Sequence, residues 1–86
     1  MNLVFADDAW EDYLYWQRVD PRIVKRIHQL IRDIMRDPHG GIGKPEPLKH
    51  ALQGYWARRI TGEHRLVYRV AGQDRRIAQL RHHYQR

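Results

Sequence analysis

Two Asp-Pro dipeptides bracket the segment that most constrains this fold: Asp20-Pro21 and Asp37-Pro38. Asp20 is an N-cap with proline at the first helical position. The residue before a proline resists helical geometry, so the helix that starts there ends near Arg36. Between the two brackets Ile23, Ile27, Leu30, Ile31 and Ile34 recur at helical spacing. Arg22, Lys25, Arg26, Arg32 and Arg36 fall on the opposite side. The apolar stripe needs a layer to pack on, and the basic side either meets solvent or tracks a phosphate backbone.

The flanking sequence supplies that layer. Asn2 to Phe5 reads as a short strand with Leu3 and Phe5 on one face. Asp8 as N-cap and Glu11 three positions on form a capping box. The first helix carries Trp10, Tyr13, Leu14 and Gln17 on one face and stops near Val19. His39 to Pro47 is a glycine- and proline-rich loop. Lys44 is followed by Pro45 rather than Ser or Thr, which excludes a phosphate-binding glycine loop. From there the period changes to two. Strands are expected over 48–52, 56–61, 64–71 and 74 to about 83, with turns at Gly54, Gly62-Glu63 and Gly72-Gln73. The order β-α-α-β-β-β-β predicts an α+β fold. Two N-terminal helices pack on one face of a twisted, mainly antiparallel sheet, in one domain spanning residues 1–86.

Lys and Arg number 16 against 10 Asp and Glu, a formal charge of +6, which favours polyanionic partners. The absence of cysteine excludes disulfides and thiolate metal sites and fits a reducing cytoplasm. No stretch reads as a signal peptide, and no apolar run approaches the ~20 residues a membrane span needs. None of the six histidines stands in a zinc-binding spacing, so neither metal nor cofactor is expected.

Strand alternation sorts the late residues into two faces. Leu66, Tyr68, Val70, Ile60, Ala78 and Leu80 point to the helices. Arg59, Arg65, Arg81 and His83 are expected on the open face as a cationic floor, with Glu46 and Lys49 at its edge. His82 shares parity with Leu80 and is expected to be partly buried. Tyr84, beside His83, is the best-placed aromatic for stacking on a base. A carboxylate, several cations and a histidine are the parts for cutting a phosphodiester without a metal. A base takes the proton of a nucleophilic hydroxyl, cations hold the charge on phosphorus, and an acid protonates the leaving oxygen. The same cations also suit an RNA- or ribosome-binding module that blocks translation without cutting, or an adaptor for an acidic protein.

Residues 43–49 (Gly-Lys-Pro-Glu-Pro-Leu-Lys), Arg58-Arg59-Ile60, residues 63–68 (Glu-His-Arg-Leu-Val-Tyr) and His83-Tyr84 resemble the YoeB toxins, RelE-like ribosome-dependent messenger RNA interferases. Residues 12–17 and 22–25 extend the resemblance over essentially the whole chain. It implies a fold related to microbial ribonucleases and cleavage of messenger RNA in the ribosomal decoding site. It implies Glu46 as general base on the 2′-hydroxyl and His83 as general acid for the 5′-oxygen. Arg65 would steady the phosphorane-like transition state, with Lys49 and Arg59 in support, and Tyr84 would orient the RNA. A YefM-like antitoxin and a homodimer are the implied protein partners. The chain departs from the family in carrying Gln85-Arg86 after the His-Tyr pair, and His82 where an aromatic is usual.

Overall fold

The computed structural model describes residues 1–83. Strand β1 (Asn2–Phe5) leads into helix α1 (Asp7–Val19) and helix α2 (Pro21–Arg36). Strands β2 (Glu46–Pro47), β3 (Trp56–Arg59), β4 (Arg65–Ala71) and β5 (Asp74–Gln79) follow. The sheet order is β1-β5-β4-β3-β2. The β2-β3-β4-β5 meander is antiparallel throughout, and β1 adds to β5 in parallel. This is the expected α+β architecture.

Helix α2 follows its sequence closely. Asp20 accepts the Arg22 backbone N–H at 3.0 Å, with Pro21 in the first turn. Ile27, Leu30 and Ile34 are fully buried against Leu66, Tyr68, Ile77 and Leu80 of the sheet, with Ile23 and Ile31 packed at the margin. Helix α1 differs from expectation at both its start and its face. Ala6 is the N-cap and offers no side-chain cap. Its N–H bonds the Ile77 carbonyl at 2.9 Å, so the β1 ladder runs directly into the helix, while Asp7 and Asp8 lie in the first turn and favour its dipole. The buried side of α1 is Ala9 and Trp16, with Tyr13 partly covered; Trp10 and Leu14 are exposed. Asp12 is drawn inward because its carboxylate accepts the Leu80 N–H at 3.0 Å. Size alone misreads this stripe: the small Ala9 lets the helix approach the sheet, and an acid sits in the buried arc.

Two further expectations are corrected. Residues 48–52 form no strand. Leu48 bonds Tyr55 across a short 3-10 turn at His50–Leu52, and pairing occurs earlier, at Glu46–Pro47. The last strand ends at Gln79 and carries a bulge: Val67 pairs Gln79 but Tyr68 pairs Ile77. Ala78 is the extra residue and joins Leu48, Ala57 and Val67 on the open face, leaving Ile77 in the core. Simple alternation fails from this point on.

Candidate functional site

The strand register builds the open face. Glu46 pairs Ala57, Ala57 pairs Val67, and Arg59 pairs Arg65. Cross-strand partners share a face, so Glu46, Arg59 and Arg65 all stand on the side away from the helices. Arg59 lies one strand over and two residues along from Glu46, a diagonal of about 7–8 Å that long side chains span. Glu46 is exposed and projects from the rim of a small apolar patch made by Leu48, Ala57 and Val67.

The loop that delivers Glu46 is held by Arg58, a residue to which the sequence patterns assign no role. Its side chain is fully buried. Nη1 donates to Asp33 Oδ2 at 2.6 Å and to the Ile42 carbonyl at 3.0 Å. Nη2 donates to the carbonyls of Asp37 at 2.7 Å and Gly40 at 2.8 Å. Nε meets the Tyr68 hydroxyl at 3.1 Å, and that hydroxyl donates to the Pro38 carbonyl at 2.6 Å. Asp33 closes the cage by accepting from Ile42 N–H at 2.8 Å and from Arg36 at 2.7 Å. The Arg36 contact, then the Ile42 N–H, hold the Asp33 carboxyl down at about 2, with Arg58 adding to them against the opposing effect of burial. Gly41, at φ +105, has no room for a Cβ beside the Asp33 carboxylate. The signal for Arg58 is its neighbour: it alternates with Arg59, so it has to point at the helices.

The other end of the floor is organised by the turn at residues 61–64. Arg65 is nearly buried and its Nη1 donates to the carbonyls of Thr61 at 2.9 Å, Gly62 at 3.2 Å and His64 at 3.2 Å. Among the described residues no carboxylate pairs with it. The backbone of His82 is gripped at both its N–H and its carbonyl. Its N–H donates to His64 Nδ1 at 2.8 Å, and its carbonyl accepts Arg65 N–H at 2.9 Å. Gln79 Nε2 donates to the carbonyls of Arg81 at 2.8 Å and His83 at 2.7 Å. His83 is thus placed by its neighbours' backbone, with its own side chain exposed.

The remaining expected residues divide. Lys49 is exposed at the N-cap of the 3-10 turn. Arg81 does not join the floor. Its guanidinium lies 3.7 Å from the Tyr15 ring centroid on α1, because Arg81 lies beyond the last strand residue, Gln79, where strand alternation no longer sets its direction. His82 is exposed at φ +65; the half-buried histidine is His64, whose ring meets Trp16 at 4.8 Å. On α2, Arg36 is engaged by Asp33, and Arg26 Nη2 donates to the Arg59 carbonyl at 3.2 Å. Arg22 and Lys25 are exposed, and Arg32 borders an apolar groove with Leu3, Trp10 and Tyr13. The basic side is therefore not one continuous surface. Tyr84 lies outside the described residues. Among the described residues no cluster of three His, Asp or Glu converges as a metal would need, and no helix is long and apolar enough to cross a membrane.

Residues 5–84 match the family model of the YoeB-like toxin of bacterial type II toxin–antitoxin systems. Toxin YoeB of Escherichia coli K12 is 57% identical over 84 residues, 98% of this chain and 100% of the relative. The structure of a YoeB/ParE toxin from Agrobacterium tumefaciens superposes with a TM-score of 0.93 at 52% identity, covering 98% of this chain and 100% of the other. A YoeB–YefM complex and a YoeB dimer, both from Staphylococcus aureus, superpose at TM-scores of 0.90, with 46% and 47% identity and 98% of each chain covered. With a family model over residues 5–84 and relatives above 50% identity over nearly the whole chain, the chain belongs to the YoeB-like toxins of type II toxin–antitoxin systems.

Proposed function

We propose that this toxin is an endoribonuclease that cuts messenger RNA in the ribosomal decoding site by transesterification. Glu46 takes the proton of the 2′-hydroxyl, and the oxygen attacks phosphorus. The bond to the 5′-oxygen breaks, His83 delivers its proton there, and the products are a 2′,3′-cyclic phosphate and a free 5′-hydroxyl. Arg65 and Arg59 hold the charge that builds on the phosphoryl oxygens, with Lys49 at the entry and Tyr84 orienting the RNA. One observation carries this reading: the register sets Glu46, Arg59 and Arg65 on one face of the sheet, beside a backbone tether that presents His83. Three carbonyls aim the Arg65 guanidinium before any substrate arrives, which is preorganisation of the kind catalysis needs. The exposed cations Arg22 and Lys25 extend the surface for ribosomal or message phosphates, with Arg26, Arg32 and Arg36 at its edges.

The homologous YoeB–YefM complex and YoeB dimer support a YefM-like antitoxin and a homodimer for this chain as well. A cytoplasmic site of action follows from a ribosomal target. The deciding experiment incubates the protein with ribosomes programmed with a defined message, chelator present, and maps the message ends. A cut within the decoding-site codon with a 5′-hydroxyl product is expected. Glu46→Ala and His83→Ala should each lose about 10²–10⁴-fold in rate, and His82→Ala far less. An intact message with translation still blocked would replace this reading with a non-cleaving inhibitor.

A further inference from the structure

The open face carries a second pair of opposed arginines that the reaction above does not use. Arg69 on β4 pairs directly with Arg76 on β5, as Arg59 does with Arg65. Arg65, Val67 and Arg69 share a face, so the two pairs flank the apolar row Ala57–Val67, with Glu46 at its end. Arg65 and Arg69 are four residues apart, about 13 Å along the strand. Like charges directly opposite destabilise a sheet unless an anion lies between them. Asp74 meets Arg76 at 3.5 Å, but among the described residues no carboxylate pairs with Arg69. Its guanidinium instead lies 5.7 Å from the Tyr55 ring centroid. Val4, Ala78 and Tyr55 join the two arginines around a shallow hollow of about 250 Å³.

We propose that Arg69, Arg76 and Tyr55 form a second RNA subsite, holding a phosphate of the strand that flanks the cleaved bond against an aromatic wall. The inference rests on the reading of the open face as an RNA surface. Cations that track a backbone, combined with an aromatic ring, are what single-stranded RNA binding requires, and the observed spacing lies within the footprint of a few nucleotides. An acidic peptide would satisfy the charges but not the continuity with the Arg59 and Arg65 pair on the same face.

The test compares wild type with Arg69→Gln/Arg76→Gln on three targets. These are a short single-stranded RNA made uncleavable by a 2′-deoxy nucleotide at the cut position, vacant ribosomes, and programmed ribosomes. The variant should bind RNA about 10–100-fold more weakly. Its log-affinity against log-salt slope should fall by about 0.7 for each phosphate that is no longer neutralised. Its thermal midpoint should hold or rise, since a like-charge pair is gone. Weaker binding of the free oligonucleotide supports the subsite; weakening confined to vacant ribosomes overturns it in favour of a contact to ribosomal RNA. Unchanged affinity and slope, in a wild type that cuts, overturns the subsite alone. Intact RNA binding with impaired binding of an acidic antitoxin segment also overturns it. A wild type that does not cut, with the slope still reduced in the variant, removes the reaction and leaves the subsite standing.

Discussion

Arg58 shows how much one side chain governs here. It satisfies one carboxylate, three carbonyls and a tyrosine hydroxyl from inside the core. Removing one partner of a buried ion pair strands the other, at a cost of about 3–5 kcal/mol. Arg58→Met should lower the urea midpoint by a corresponding amount, whereas Arg59→Met, on an exposed position, should change it little. His64 is a second such point. Its Nδ1 accepts the His82 N–H, so the ring must be neutral with its proton on Nε2. Burial pushes its pKa below the ordinary histidine value, against the opposing pull of Glu63. His64→Asn keeps an acceptor where Nδ1 stood, while His64→Gln moves it to the place of Nε2. Hydrogen exchange of the His82 amide should stay slow in the first variant and speed up in the second, by the ~0.5–1.5 kcal/mol of one hydrogen bond.

At the scale of elements, the contact between the loop at residues 37–43 and α2 sets the response to acid. The Asp33 carboxyl titrates at about 2 in the fold, against 3.8 when unperturbed. A depressed carboxylate contributes stability that is fully present above the unfolded value and is lost as pH falls through the folded one. Unfolding should therefore grow easier between pH ~4 and ~2, and Asp33→Asn should flatten that limb while lowering stability at neutral pH. The His64 shift has the same sign: the unfolded chain takes the proton more readily, so stability falls as pH drops below about 6.5. A thermal-midpoint series across pH on wild type, Asp33→Asn and His64→Asn separates the two. The elements themselves are legible in proportion to how local their causes are. Asp20, Pro21 and Pro38 fix α2 through backbone chemistry, and Gly62 and Gly72 mark the turns. The start of α1 is not legible, because its cap is a bond from Ala6 to the distant Ile77 carbonyl. The Ala78 bulge is invisible for the same reason, and Arg81 escapes the pattern because the strand has already ended at Gln79. Arg59 and Arg65 are readable because they precede the bulge, in strands where a period of two holds, whereas Glu46, expected in a loop, owes its face to pairing with Ala57.

For the molecule as a whole, 86 residues bury a modest core, and stability is correspondingly thin. Any partner that binds only the folded toxin stabilises it by mass action, about 2.7 kcal/mol at a hundred times its dissociation constant. A YefM-like antitoxin should accordingly raise the thermal midpoint in a concentration-dependent way. A flat response would argue against binding to the folded state.

The parallel pairing of β1 with β5 has a consequence for how the toxin is made. Asn2 meets Asp74, and α1 docks through Asp12 and Trp16 onto Leu80. During synthesis β1 and α1 emerge with nothing to rest on, because β5, an inner strand of the sheet, is translated only after every other element. Local helix can form early, but long-range pairing waits for its partner. The nascent chain therefore holds no assembled open face while β5 of its own message is still being read.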